Sequence, residues 1–550
     1  MANKMGFLQN TTPDKQAEKQ TLIVPENFTH SYAVGKTGCS KTTAFVYPNL
    51  DDRLSKGHGV LIFDYKSKEH SSVKYLADKY GRLENVMEIG LPWGESVNII
   101  QNFTEKEISN FVINIMNMSE KDTYWSTTAS NMVVSIWKII KAYLDVIKST
   151  DNHNIQENLY SAVKRQRLPT TLTFTDIASV LSSHKKLVDF IIRVKRVYDR
   201  FESIIEINIQ DLVMKIEQED IKEMYLELVS NNMEFKSVFF AEKKSLDIFI
   251  ESKNANSQTT TIQTILLSIS TTFSAITTNE KMNDYNGIDI AKELNDGKVI
   301  IVNAQELSDT VIAALTSSIL QELCKRIQQK EIRGVSVFID EAQKVLNKDF
   351  NLNESVLRES RIELFLAFQN HQLMINKLGK DKFYALIQNL SSSYHFANSL
   401  DFQEFETSKL ETFEYYHKDS ETKYLAQPMF LDADEVFESV LKYCHINKLY
   451  EKLNIASQHR DKVIQFNPYL YKEKAIELKD KDGEITIVKL IDPFKNRQAS
   501  FIIDDIIGMH KVKLKKQNVH YSPPERSLMS LLNEEIKKQD IDKFMGVKNE

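Results

Sequence analysis

The chain has 550 residues, 42% of them apolar, with a formal net charge of −6 and a pI near 6.1. That length exceeds one ordinary core, so two or three globular domains are expected, and the acidic balance means that any contact with nucleic acid must use a local basic surface. The three cysteines, Cys39, Cys324 and Cys444, lack C-x-x-C spacing and are too few for a disulfide framework, and no apolar run of about 18 residues reads as a signal peptide or a membrane span.

Residues 1–20 are polar and aperiodic, which predicts a loose leader. From 21 to 104 strand and helix signals alternate, as in the first part of an α/β nucleotide-binding domain. Within it, Gly35-Lys36-Thr37-Gly38-Cys39-Ser40-Lys41-Thr42 has the form of a phosphate-binding loop, with Ser40 where the second glycine of G-x-x-x-x-G-K-[ST] belongs. The apolar run Ser31 to Val34 precedes it as a strand, and Thr43 to Tyr47 can continue it as a helix. That order turns backbone N–H groups onto a β-phosphate at a helix N-terminus. Gly35 to Thr43 would then bind ATP, with Lys41 bridging the β- and γ-phosphates and the Thr42 hydroxyl holding Mg²⁺. A glycine-containing turn matching by accident is the competing reading, and Ser40 favours it while the octapeptide stands alone.

The next strand, Gly59 to Asp64, runs into Tyr65-Lys66-Ser67-Lys68-Glu69 and so places charge at a strand's carboxyl end, where open α/β sheets bind ligands. A solvated turn is the plainer alternative. From 105 to 282 the pattern changes to helical period, as in Trp125 to Val146, Lys186 to Val197 and Ile221 to Ser230, which predicts an inserted all-α domain. Strand signals return at 298–302, 335–339 and 364–368, so the nucleotide-binding domain resumes over 283–460.

The strand Val335 to Ile339 ends in Asp340-Glu341, the form of a Walker B element. A carboxylate there can hold Mg²⁺ through water, the role given to Asp340, and the next can orient and deprotonate the attacking water, the role given to Glu341. The following strand ends at Gln369, preceded by Arg358 and Arg361. A glutamine there can sense the γ-phosphate, and an arginine delivered from a neighbouring subunit can neutralise transition-state charge. Solvated arginines and an edge glutamine are the alternative. Residues 461–550 read as a C-terminal appendage, with strand-like segments at 484–491 and 499–503, a small basic cluster at 510–516, and a charged helical tail over 527–544.

Taken together these residues resemble the conjugative coupling proteins of type IV secretion, the TraG/TraD-like group of RecA-fold ATPases related to FtsK, over roughly residues 28–400. His30 to Gly35 and Tyr47-Pro48-Asn49-Leu50 flank the loop as that family's segments do, and Phe63 to Glu69 resembles its D-x-K-x-E stretch. Val97-Asn98-Ile99-Ile100 resembles its Asn-Pro segment without the proline, and Tyr124 to Ala129 its entry into the helical domain. Ile339 to Ala342 matches its Walker B, and Arg358 stands eleven residues before Gln369, as the family's finger stands before its glutamine. The resemblance implies a RecA-like core and a homo-hexameric, ATP- and Mg²⁺-dependent pump. Such a pump delivers single-stranded DNA bound to a relaxase, or effector proteins, to a type IV secretion channel, and its helical domain selects cargo.

Three departures qualify that implication, one being the region after about 410, which does not resemble the family. Ser40 replaces a loop glycine, which is expected to slow hydrolysis or alter phosphate contacts. Only 34 residues precede Gly35, where typical members carry a transmembrane hairpin, so attachment to the inner face of the membrane is expected through a membrane-anchored partner of a cytoplasmic protein. A nucleotide-binding substrate adaptor with little hydrolysis, a HerA-type ATPase and the channel's own assembly ATPase are the other readings.

Overall fold

The computed structural model describes residues 19–447, apart from 67–68, 92–93, 120–122, 214–218, 251–255, 329–331, 347–353, 401–404 and 419–421, together with 476–479 and 485–488. The expected segments at 499–503, 510–516 and 527–544 lie outside these residues. The chain divides into two compact units, one of residues 1–65, 87–90 and 94–430, the other of residues 66–86, 91–93 and 431–550.

The elements begin with β1 (Lys19–Gln20), β2 (Ser31–Val34), α1 (Tyr47–Ser55), β3 (Gly59–Asp64), α2 (Glu69–Lys79) and β4 (Val86–Ile89). Among the described residues seven helices then follow without a strand: α3 (Glu105–Ser119), α4 (Thr123–Lys148), α5 (His153–Arg165), α6 (Phe174–Leu181), α7 (His184–Val213), α8 (Glu219–Ile250) and α9 (Asn256–Thr277). The sheet resumes through α10 (Ile290–Asn295), β5 (Val299–Asn303), α11 (Asp309–Cys324), β6 (Val335–Ile339), α12 (Ala342–Val345), α13 (Glu354–Glu359) and β7 (Ile362–Phe368). The remaining elements are α14 (His371–Leu378), α15 (Lys380–Asn389), β8 (Ser392–Phe396), β9 (Glu414–His417), β10 (Lys423–Ala426), α16 (Ala433–Ile446), β11 (Ile476–Lys479) and β12 (Ile485–Val488).

The ten-stranded sheet has the order β1-β10-β9-β8-β2-β7-β6-β3-β5-β4, and the run from β8 to β5 is parallel throughout. Its central strands are buried on both faces, which is why β3, β5, β6 and β7 are near-continuous apolar runs rather than alternating ones. The loop-bearing strand β2 is separated from the acid-bearing strand β6 by β7 alone, and the protein has an α/β fold built on a mostly parallel sheet with a helical insertion. β9 and β10 extend the sheet as antiparallel strands beyond β8.

The helical stretch is joined to the sheet layer by packing. Phe111 on α3 stacks edge-on against Phe103 and Phe174, and Phe174 in turn meets Phe273 on α9. Ser318 on α11 donates to Ile99 O at 2.7 Å. A reciprocal capping box between Thr173 and Asp176 starts α6, satisfying two N–H groups that the first turn would leave open. Among the described residues no helix is long and apolar enough to cross a membrane.

In the second unit α2 packs on α16. Tyr75 OH donates to Glu435 Oε2 at 2.6 Å, Ser439 and Lys442 both reach Asp78 Oδ2 at 2.8 Å, and the Lys74 ammonium lies 4.4 Å from the Tyr443 ring. β11 and β12 pair as an antiparallel hairpin.

Candidate nucleotide-binding site

The loop after β2 hangs from both neighbouring strands. Gly35 N–H donates to Phe368 O at 3.2 Å at the end of β7, and Lys36 N–H donates to Ala397 O at 2.8 Å just past β8. A Cβ on Gly35 would stand 2.7 Å from Cys39 Sγ and 2.8 Å from Phe396 Cβ, so only glycine permits this close approach. Gly38 adopts φ +83° and Ser40 φ +75°. Ser40 therefore keeps the left-handed conformation that suits a glycine, at a cost of roughly 1–2 kcal/mol for a residue bearing a Cβ. The departure visible in the sequence is a strained backbone position in the structure. Lys41 folds back along the loop, its Nζ donating to Gly35 O at 2.6 Å and Lys36 O at 3.2 Å. Cys39 is buried, and burial pushes its thiol pKa up, which makes it a packing group against Gly35 rather than a nucleophile. Lys36 and Thr37 are exposed, and Thr43 Oγ1 donates to Ser40 O at 3.2 Å.

The helix behind the loop begins with a wide turn. Thr42–Val46 is π-helical, with Tyr47 N–H donating to Thr42 O. Pro48 supplies the physical reason: it has no N–H for Ala44 O, and its ring would press on that carbonyl in a regular α-turn. The Thr43 carbonyl released by the wide turn accepts instead from Met429 N–H at 2.8 Å. Asn49 completes the support, accepting from Val24 N–H at 2.7 Å and donating to Leu22 O at 3.1 Å.

Strand register brings the acids to the same edge. Val34 pairs with Phe368, Phe63 with Ile339 and Ile339 with Leu366, so Gly35, Asp340 and Gln369 all leave the sheet at its carboxyl edge. Thr42 Oγ1 donates to Asp340 Oδ2 at 3.0 Å, across 298 residues of sequence. Asp340 Oδ1 accepts from Glu341 N–H at 3.0 Å, and Glu341 stands at φ +61°, a left-handed turn out of β6. Gln369 Nε2 donates to Glu341 Oε2 at 2.9 Å, and Gln343 Nε2 donates to the same oxygen. Asp64 is buried at the end of β3, the neighbour of β6, while Lys66 and Glu69 belong to the second unit.

The donor set fits a hard divalent cation. A neutral hydroxyl and a carboxylate from two segments lie within hydrogen-bond distance of one another, and oxygen ligands of this kind are what Mg²⁺ takes, with water and phosphate completing its shell. Thr42 and Asp340 are the residues that would hold it.

Arg358 is not brought to this cluster by its own chain. It is exposed on α13, ahead of β7, whereas Gln369 follows the strand's other end, and seven strand residues span about 20 Å. Arg361 has φ +53°, with its guanidinium 5.0 Å from the Phe28 ring and its carbonyl accepting from Val335 N–H at 3.0 Å, so it serves the turn into β7. Two groups at the site escaped the sequence reading. Gln343 follows the acid pair by two residues and carried that local signal alone. Asn398 donates to Gln369 O at 3.2 Å from the far side of β8, and nothing local marks it.

Behind the loop strand, His371 and His395 stack at 5.7 Å with Tyr32 edge-on to both. Burial pushes both imidazoles down to about 3, each lowered further by a neighbouring histidine, so they are neutral at ordinary pH and act as packing groups.

No protein-family model matches the chain, and no curated protein matches its sequence. Among solved structures, the chain is similar to plasmid coupling protein TrwB in complex with a non-hydrolysable ATP analogue, ADPNP, at 11% identity over 76% of this chain and 90% of that one, with a TM-score of 0.46. It is similar to the same protein in complex with ADP and Mg²⁺, at 10% identity, 76% and 90% coverage and a TM-score of 0.44. It is also similar to VirB4 of Thermoanaerobacter pseudethanolicus, at 13% identity over 74% of this chain and 90% of that one, with a TM-score of 0.35.

Proposed function

We propose that the chain is an ATPase of a type IV secretion or conjugation system. It would hydrolyse ATP with Mg²⁺ to drive single-stranded DNA with its relaxase, or effector proteins, towards the channel. The observation that carries the nucleotide chemistry is the convergence of Thr42, Asp340, Glu341 and Gln369 at one sheet edge beside a loop with glycine-type backbone angles. In this reading Lys41 exchanges its two loop carbonyls for phosphate oxygens, and Thr42 and Asp340 hold Mg²⁺. The metal supplies charge neutralisation on the phosphates. Glu341 takes the proton of the attacking water, and Gln369 orients towards the terminal phosphate.

Arg358 acts in trans. Its exposure, and its place at the opposite end of β7 from its own Gln369, suit delivery to a neighbouring copy in a homo-hexameric ring. The protein then works at the cytoplasmic face of the inner membrane through a membrane-anchored partner. Turnover of the purified chain, with and without single-stranded DNA, tests this reading. Activity lost in Glu341→Gln and stimulated by DNA supports it, and equal turnover in both proteins removes it.

One observation favours a second reading, a nucleotide-binding adaptor with little hydrolysis: Ser40 stands at φ +75° in the loop. Tight ATP binding without turnover, with or without DNA, would select it. A HerA-type or channel-assembly ATPase shares the site chemistry, and the cargo captured from cells carrying the secretion system separates it from the first reading.

A further inference from the structure

Two amides converge on one oxygen of Glu341. A carboxylate accepts and a side-chain NH₂ donates, so Gln343 and Gln369 both present their nitrogens to Oε2. The two donors differ in what carries them. Gln343 sits in α12, closed onto the glutamate by Lys344 N–H to Glu341 O at 2.7 Å and Leu346 N–H to Ala342 O at 2.8 Å, so it moves with Glu341. Gln369 comes from the end of β7, a separate strand, where Asn398 holds its carbonyl. A glutamine that turns towards a terminal phosphate gives up its bond to Glu341, while the donor on α12 still holds the carboxylate.

Gln343 is also costly where it stands. It is buried, and its Oε1 has no hydrogen-bond partner among the described residues. A buried acceptor left unsatisfied is destabilising, and a methionine of similar length carries no such penalty. Packing alone does not account for a glutamine at this position, whereas the bond from its Nε2 to Glu341 does.

We propose that Gln343 is a positioning residue: it holds the Glu341 carboxylate by Oε2 while Gln369 is exchanged between Glu341 and the terminal phosphate of a bound nucleoside triphosphate. This inference rests on the roles proposed above for Glu341 and Gln369. It predicts that the orientation of Glu341, not nucleotide affinity, depends on Gln343.

Gln343→Met and Gln343→Leu in the full chain test it, measured for steady-state ATP turnover, equilibrium binding of a fluorescent ATP analogue, and thermal unfolding. The expected result is a roughly 10- to 100-fold fall in kcat, an affinity for the analogue unchanged within about twofold, and a melting midpoint equal to or above the parent's, because the unsatisfied carbonyl is gone. A parallel loss of turnover, affinity and melting temperature in both variants overturns it in favour of a packing role. Parent-like turnover in both variants, with Glu341→Gln inactive, overturns this inference alone. If Glu341→Gln turns over ATP as the parent does, the reading of the site fails and the role of Gln343 falls with it.

Discussion

The same two strands carry polar groups at both ends, and the ends differ in kind. At the amino ends Ser336 lies in β6 and Glu363 in β7, and both belong to a closed network. Arg53 pairs with both oxygens of Glu363 and donates to Val24 O at 2.9 Å, Ser336 Oγ donates to Glu363 Oε1 at 2.9 Å, and His58 bridges Ser336 at 2.9 Å and Glu26 at 3.0 Å. Burial pushes the His58 pKa down, against the pull of Glu26 and Glu363. At the carboxyl ends Asp340, Glu341 and Gln369 also bond to one another, but beside a loop whose Gly38 has nothing within 4 Å of where a Cβ would stand. Here two non-glycine residues, Ser40 and Glu341, hold positive φ. Buried charge by itself therefore marks neither end as functional. Positive φ does not separate them either, since Arg361 at the turn into β7 has φ +53°; what does is open space beside the loop at one end and a closed side-chain network at the other.

That contrast can be broken by substitution. Removing Glu363 leaves the Arg53 guanidinium buried without its main partner, so Glu363→Ala is expected to cost about 3–5 kcal/mol in urea unfolding. The fraction that stays folded should still bind nucleotide. Lys41→Ala does the opposite: turnover is expected to fall roughly 100- to 1000-fold with the urea midpoint nearly unchanged. A large loss of stability in Lys41→Ala would show that the upper end is structural too.

The stacked histidines behind the loop strand set a pH-dependent effect. Their folded pKa values, about 3, lie below the unfolded value of 6.5, so the unfolded chain binds more protons between those limits. Stability is full above pH 6.5 and is lost as pH falls towards 3, by about 1.4 kcal/mol per pH unit for each histidine. Urea midpoints at pH 7.5 and pH 5 should separate clearly in the parent and draw together in the His371→Phe/His395→Phe double variant. The smallest effect concerns the loop. Ser40→Gly relieves the left-handed serine and is expected to stabilise by about 0.5–1 kcal/mol net of glycine's greater unfolded-state entropy. A rise of severalfold in kcat would identify Ser40 as a brake on hydrolysis, and unchanged turnover would remove that role.

The strands of the parallel sheet were legible because burial on both faces demands apolar runs. Gly59 to Asp64 and Val335 to Ile339 stand where those runs stand, and the 364–368 signal marks the last residues of β7. The loop's turn was legible because Gly35 and Gly38 stand where the backbone makes a close approach and a positive φ. Less visible was the π-turn over Thr42–Val46, although Pro48, its cause, stands in plain view. A proline forbids one hydrogen bond without saying which alternative the chain takes. Arg53, Glu363 and His58 gave no signal at all, since each reads locally as an ordinary charged residue and only the sheet's register puts them together.

From the sequence alone one could read which local features are present: a glycine-containing loop of phosphate-binding form with Ser40 at a glycine position, two acids after an apolar strand, and a glutamine after the next. Those features are local, set by the backbone and side-chain requirements of a few consecutive residues. The tertiary structure decided which of them meet. Thr42 reaches Asp340 across 298 residues, two glutamines share one oxygen of Glu341, and Arg358 is carried away from its own site by the length of β7. It also gave Ser40 its meaning, because a positive φ belongs to the fold of the loop and not to the residue that occupies it. Contacts of that kind depend on strand order and register, which no short stretch of sequence contains.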